Sequence, residues 1–145
     1  MANTLGVSDA VVRRSSKCLS SDVNAAYDPN FAEVHERRNS CFANGGVVIT
    51  KFTGSRGKSG SNDASAEFMG FVRSVLDDAG VVWQTSELGK VDAGGGGTVA
   101  MYIAQKNVDV VDLGVPVLSM HAPYEVVAKT DVYMTHKAIA AFFAK

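Results

Sequence analysis

The chain reads as an α/β protein, a three-layer α/β/α sandwich on a largely parallel sheet. Runs of β-branched and aliphatic residues at 46–52, 81–85 and 108–118 have the composition of strands buried on both faces. Between them, apolar residues recur at helical spacing over 62–78 and 126–143. The two patterns alternate, as they do when helices pack back onto a sheet.

Residues 7–14 are expected to form a short helix, with Ser8 and Asp9 as caps and Arg13 and Arg14 complementing its carboxyl end. Residues 18–23 read as a strand that closes on the acidic Asp22. Asp28, Pro29 and Asn30 make a turn, because proline fixes the backbone while Asp and Asn bond back to it. The charged segment 32–40, with His35, reads as a solvated loop. After the strand at 46–52, residues 53–61 form a Gly- and Ser-rich loop, and the helix at 62–78 carries Phe68, Phe71, Val72, Val75 and Leu76 on one stripe before Gly80 ends it. Residues 81–85 are the third strand and 98–106 a further helix. The fourth strand, 108–118, runs into Ser119, His121 and Pro123. The last helix, 126–143, is expected to carry Val132, His136, Ile139 and Phe143 on one face, with His136 a helix-surface or core-edge residue rather than a ligand.

The 145 residues suffice for one domain with a sizeable core. Fourteen basic against fifteen acidic residues leave no basic face for nucleic acid or an anionic membrane. No apolar run has the length of a membrane span, and the first residues lack the pattern of a secretory signal. Cys18 and Cys41 are too few for a disulfide framework and read as reduced thiols of a cytoplasmic protein.

Three stretches carry chemistry. Asp22 and His121 each close a strand, and if those strands are parallel their side chains face one crevice; carboxylate and imidazole are ordinary zinc ligands, yet a catalytic zinc needs three from the protein. A histidine satisfied by core hydrogen bonds is the alternative for His121. The run Gly54-Ser55-Arg56-Gly57-Lys58-Ser59 is similar to a phosphate loop, but Phe52 stands where the first glycine of that pattern belongs. Gly94, Gly95, Gly96 and Gly97, followed by Thr98, read as a segment that a ligand can approach closely, or as a flexible turn.

Together these motifs resemble one family. The elements are Ser21-Asp22-Val23-Asn24-Ala25-Ala26-Tyr27-Asp28-Pro29-Asn30, then Lys51-Phe52-Thr53-Gly54-Ser55-Arg56-Gly57-Lys58-Ser59 with Asn62-Asp63-Ala64, then Glu87-Leu88-Gly89-Lys90-Val91-Asp92 with the four glycines and Thr98, and last Ser119-Met120-His121-Ala122-Pro123. In this order they are similar to the carboxyl-terminal part of the dinuclear zinc aminopeptidases that include aspartyl aminopeptidase and vacuolar aminopeptidase I. The resemblance implies that Asp22 ligates one zinc and His121 the other, that Lys51 contacts substrate, and that Gly94, Gly95, Gly96, Gly97 and Thr98 line the substrate cleft. It also implies a peptide substrate, two zinc ions per site and a large homo-oligomer.

In that family an earlier His, a metal-bridging Asp and an adjacent Glu-Glu pair lie upstream of the residue matching Asp22. Residues 1–16 hold no His and no Glu. Residues 1–145 are therefore expected to be the carboxyl-terminal portion of a catalytic domain, with no catalytic base of their own and no activity alone. The aspartyl branch carries a His three residues after the ligand Asp, where this chain has Ala25; this places it nearer the aminopeptidase I branch. The competing expectations are a phosphate- or nucleotide-binding module, or a structural remnant that pairs with an intact subunit.

Overall fold

The computed structural model describes residues 4, 6–55, 59–90 and 92–145. In chain order they form α1 (Asp9–Arg14), β1 (Lys17–Ala25), two 3-10 turns (Pro29–Val34 and Arg37–Asn39), β2 (Val47–Thr50), β3 (Phe52–Ser55), β4 (Ser59–Asp63), α2 (Ala66–Asp78), β5 (Trp83–Thr85), α3 (Ala100–Ala104), β6 (Asp109–Leu118), β7 (Val126–Val127) and α4 (Lys129–Phe143).

Strand β6 is the spine, because its apolar run can be buried on both sides. The main sheet has the order β1-β6-β2-β5, with β7 also on β6. β1 runs parallel to β6 along its whole length, from Lys17 opposite Asp109 to Ala25 opposite Val117. β2 and β5 are also parallel, but β2 meets β6 antiparallel. The sheet is thus mostly parallel, with one antiparallel joint between its two parallel pairs.

One face of the sheet is apolar. Val47 and Ile49 of β2 and Val111 and Leu113 of β6 pack against Phe68, Val72 and Leu76 of α2 and Ala138 of α4. Each of the Val, Ile, Leu and Phe side chains contributes about 1.5–3 kcal/mol when fully buried. Ser65 caps α2 by accepting the Phe68 N–H at 3.2 Å, and Gly80, with φ +61°, ends it.

The opposite face is polar. Side chains alternate along a strand, so Ser20, Asp22 and Asn24 of β1 share it with Asp112 of β6 and Thr50 of β2. Asn24 Nδ2 donates to Thr50 Oγ1 at 2.6 Å. β1 can lie this close to β6 because residue 114 is glycine: a Cβ there would sit 1.4 Å from the Asp22 carbonyl oxygen. Beyond β1, Cys41 is buried, and its thiol donates to Ala25 O at 3.3 Å and Asn24 Oδ1 at 3.5 Å. Burial pushes the Cys41 pKa up to about 11.

Several expectations need correction. The Gly- and Ser-rich loop is a β3–β4 hairpin, with Phe52 opposite Asp63 and Thr53 opposite Asn62. Thr53 and Asn62 are a facing pair and turn inward, while Lys51 and Asp63 stay exposed and form an ion pair. α2 therefore starts at Ala66 rather than 62. Val126 and Val127 join the sheet, and α4 starts at Lys129. Its buried face is Asp131, Thr135 and Ala138, whereas Val132 and Phe143 are exposed. The cause is the Asp131 carboxylate, wholly buried, which accepts the backbone N–H groups of Asn44 at 2.8 Å and Gly46 at 2.9 Å. That pairing sets the rotation of the helix against its apolar pattern.

Gly114→Ala is expected to destabilise the chain by about 3 kcal/mol or more, since the clash is with backbone and only a shift of β1 relieves it; urea unfolding measures it. Cys41 supplies a pH prediction. The unfolded thiol titrates near its ordinary 9.0 and the folded one near 11, so between these values the unfolded state holds fewer protons and stability falls as pH rises. Below about pH 9 the term is constant. Cys41→Ala should remove that part of the fall, seen by comparing urea midpoints of the two proteins from pH 8 to 10.5.

Candidate metal and substrate site

Asp22 lies within β1, opposite Gly114, with its carboxylate exposed on the polar side of the sheet. Its backbone neighbour Val23 donates an N–H to Asp22 Oδ1 at 2.8 Å. A small cavity opens there, lined by Asp22, Asn24, Thr50, Thr53, Thr98 and Asp112 among others.

Asp112 sits under Asp22 on the neighbouring strand and is 5% exposed. Thr98 Oγ1 donates to its Oδ2 at 3.0 Å. Burial pushes the Asp112 carboxyl above its ordinary range, and the charge on Asp22 pushes the same way; the Thr98 hydroxyl, which donates to it, pulls it down by less. Sequence reasoning missed Asp112. The signal was available: a lone carboxylate inside a run of buried β-branched residues must have a partner.

The four glycines lead into Thr98. Gly96 O accepts the Gly54 N–H at 3.0 Å, so the hairpin holds the segment from one side. Gly94 and Gly95 are demanded by the fold: a Cβ at Gly94 would lie 2.6 Å from Lys90 N, and Gly95 has φ +113°. Gly97 is different, since nothing lies within 4 Å of a Cβ placed there. Its lack of a side chain answers to no contact within the described residues, and this openness is what a close-approaching ligand needs.

His121 lies past the end of β6 in an exposed turn. It has φ +66° and Ser119 φ +60°, both in the left-handed region where side chains other than glycine are strained. Glu125 Oε1 accepts the His121 backbone N–H at 2.6 Å and Ser119 O accepts the Ala122 N–H at 3.0 Å, which hold the turn in shape. β1 and β6 are parallel neighbours, but the register puts His121 seven residues beyond the position opposite Asp22. The structure gathers Asp22, Asp112 and Thr98; His121 is not among the residues lining their cavity.

Lys51 follows β2, and its ammonium is engaged by Asp63 on the far strand of the hairpin. His35 is half-buried, accepts the Asp28 N–H at 3.4 Å and packs on Tyr27. His136 is exposed on α4. Arg56, Gly57 and Lys58 of the phosphate-loop-like run lie outside the described residues. The segment around them is a hairpin, so it does not open onto a helix as a phosphate loop does. Among the described residues no group of three His, Cys, Asp or Glu side chains is placed to hold a metal ion. Asp22 and His121 alone do not satisfy zinc, which takes at least three protein ligands in catalytic sites.

Comparison with known proteins adds a family to this geometry. Residues 3–143 match the family model described as aminopeptidase I zinc metalloprotease (M18). A probable M18 family aminopeptidase 1 of Clostridium acetobutylicum is 52% identical over 128 residues, which are 88% of this chain and 28% of that protein. The crystal structure of aminopeptidase I from the same organism superposes with a TM-score of 0.85 at 51% identity, covering 89% of this chain and 28% of that one. An M18 aminopeptidase structure from Thermotoga maritima gives a TM-score of 0.89 at 41% identity, over 96% of this chain and 32% of that one. The chain thus spans less than a third of the length of these relatives.

The two kinds of glycine separate by mutation. Gly94→Ala should lower the unfolding midpoint clearly, because the clash is with the Lys90 backbone. Gly97→Ala should leave the stability of the chain within about 0.5 kcal/mol, the range of surface substitutions. Parallel thermal melts of the two variants check this.

Proposed function

The chain belongs to the M18 family of aminopeptidase I zinc metalloproteases, and from that premise we propose that it is the carboxyl-terminal portion of a zinc aminopeptidase that removes amino-terminal residues from peptides. Asp22 and His121 would supply one ligand to each of two zinc ions, and no catalytic residue comes from this chain. Lys51 would meet the substrate, and Gly94, Gly95, Gly96, Gly97 and Thr98 would line its cleft. The observation that carries the reading is that Asp22 lines one cavity on the polar face of the sheet with Asp112 and with Thr98, at the end of the glycine segment.

Each assignment has a physical rationale. An exposed carboxylate and an exposed imidazole on a fixed turn are free to meet a metal, and the remaining donors come from outside these residues. Asp63 pairs with Lys51 at the sheet end from which the hairpin departs. The open space at Gly97 lets an extended peptide lie against backbone. Free thiols at Cys18 and Cys41 accord with a cytoplasmic setting, and no described helix is long and apolar enough to cross a membrane. Exposed Tyr124, Phe143 and Val126 supply apolar surface for assembly into a homo-oligomer. The nucleotide-binding alternative loses its footing in the hairpin.

The test uses an enzyme of the relatives' full length that carries this sequence. Exhaustive chelation should abolish leucyl-peptide hydrolysis and zinc should restore it; activity that survives metal removal overturns the proposal. His121→Ala and Asp22→Asn should each lower both zinc content and turnover. The 145-residue chain tested alone should bind zinc weakly by calorimetry and release no amino acid, since a positioned base alone supplies about 10²–10⁴-fold of rate.

A further inference from the structure

The glycine segment is fastened to the sheet and hairpin beside it, and the chemistry at its carboxyl end is informative. Gly96 O takes the N–H of Gly54 from the hairpin. Two residues on, Thr98 gives its hydroxyl proton to Asp112 Oδ2 at 3.0 Å. A threonine hydroxyl has one proton and two lone pairs. With the proton committed to a buried carboxyl, the oxygen can only accept from anything else that reaches it. Thr98 is half-buried and lines the same cavity as the exposed Asp22, so that oxygen is turned to the polar face rather than sealed in the core.

We propose that Asp112 is a positioning residue that pins the carboxyl end of the glycine segment through Thr98 and fixes the Thr98 hydroxyl as an acceptor for an N–H or ammonium donor on the substrate. The proposal rests on the aminopeptidase reading for the identity of that donor, which is the free amino terminus or first backbone N–H of a peptide. The latch itself stands on the geometry alone. Asp112 does not touch the reacting groups; it acts through Thr98. The geometry explains why a carboxylate sits between the buried Val110, Val111 and Leu113 of β6. It also explains why the flexible run ends on a residue with both a hydroxyl and a β-branch, which stiffens χ1.

The test has two arms. In the 145-residue chain, hydrogen exchange of the amides at 94–98 should speed up by roughly tenfold in Asp112→Ala and in Thr98→Val, the scale of losing one charge-assisted hydrogen bond. Asp112→Asn, whose carbonyl still accepts, should restore slow exchange. Unchanged exchange in both Asp112→Ala and Thr98→Val overturns the latch, and this arm needs no enzymatic activity. In the zinc-loaded full-length enzyme, Thr98→Val should raise KM for a leucyl-peptide by roughly tenfold with kcat within about twofold, the pattern of lost uniform binding. Thr98→Ser should recover the KM. A fall in kcat at constant KM overturns the acceptor role. If the unmutated enzyme shows no aminopeptidase activity, the functional reading fails and the exchange arm still decides the latch.

Discussion

Polar groups buried on one face of a sheet cost free energy unless each finds a partner, and the face formed by Ser20, Asn24, Thr50 and Asp112 meets this cost only in part. Asn24 and Thr50 satisfy one another, and Thr98 satisfies one oxygen of Asp112. Asp112 Oδ1 and Ser20 Oγ make no hydrogen bond among the described residues. An apolar replacement of this cluster would be the cheaper way to stabilise a sheet. The fold instead keeps a carboxylate with an elevated pKa beside the exposed Asp22, where it organises a glycine-rich segment. Proteins concentrate such costs where position matters more than stability.

How far the sequence could be read depended on whether local pattern or tertiary pairing decided each element. β6 was legible because its apolar run has one stable fate, and α2 because its stripe is regular and Gly80 closes it. The hairpin was not, since glycine and serine signal a loop and nothing local announces that Thr53 and Asn62 face inward. α4 was found but turned the wrong way, because Asp131 answers to backbone amides some eighty-five residues earlier in the chain. For the candidate site, Asp22 and His121 stand out in the sequence only as polar strand ends, and the roles proposed for them and for Lys51 follow from the resemblance to a family. Asp112 is masked by its apolar neighbours, because its partner Thr98 lies fourteen residues away in the chain and on no regular strand.

The antiparallel joint between β2 and β6 reshapes the usual geometry of such sheets. In an all-parallel sheet, strand ends that carry function gather at one edge. Here β6 delivers His121 at one end, while β2 delivers Lys51 at the other, since Thr50 lies opposite Asp112 near the start of β6. Asp22 and Asp112 lie between them along the strand axis. The candidate site is therefore spread over a face of the sheet, with the glycine segment and hairpin laid across it.

Gly114 bears on how the chain reaches this arrangement. β1 and β6 are separated by roughly ninety residues of sequence, so their pairing is a late and slow contact in folding. A slip of one residue would still form a ladder of hydrogen bonds, but it would turn Asp22 toward the apolar layer and Leu19, which packs on that layer, out of it. Such an error is refused by shape. Only at Gly114 does β6 leave room for the Asp22 carbonyl, and shifting β1 by one place sets that carbonyl against the side chain of Leu113 or Val115. A single missing methyl group thus acts as a proofreading mark, read once, when the edge strand docks.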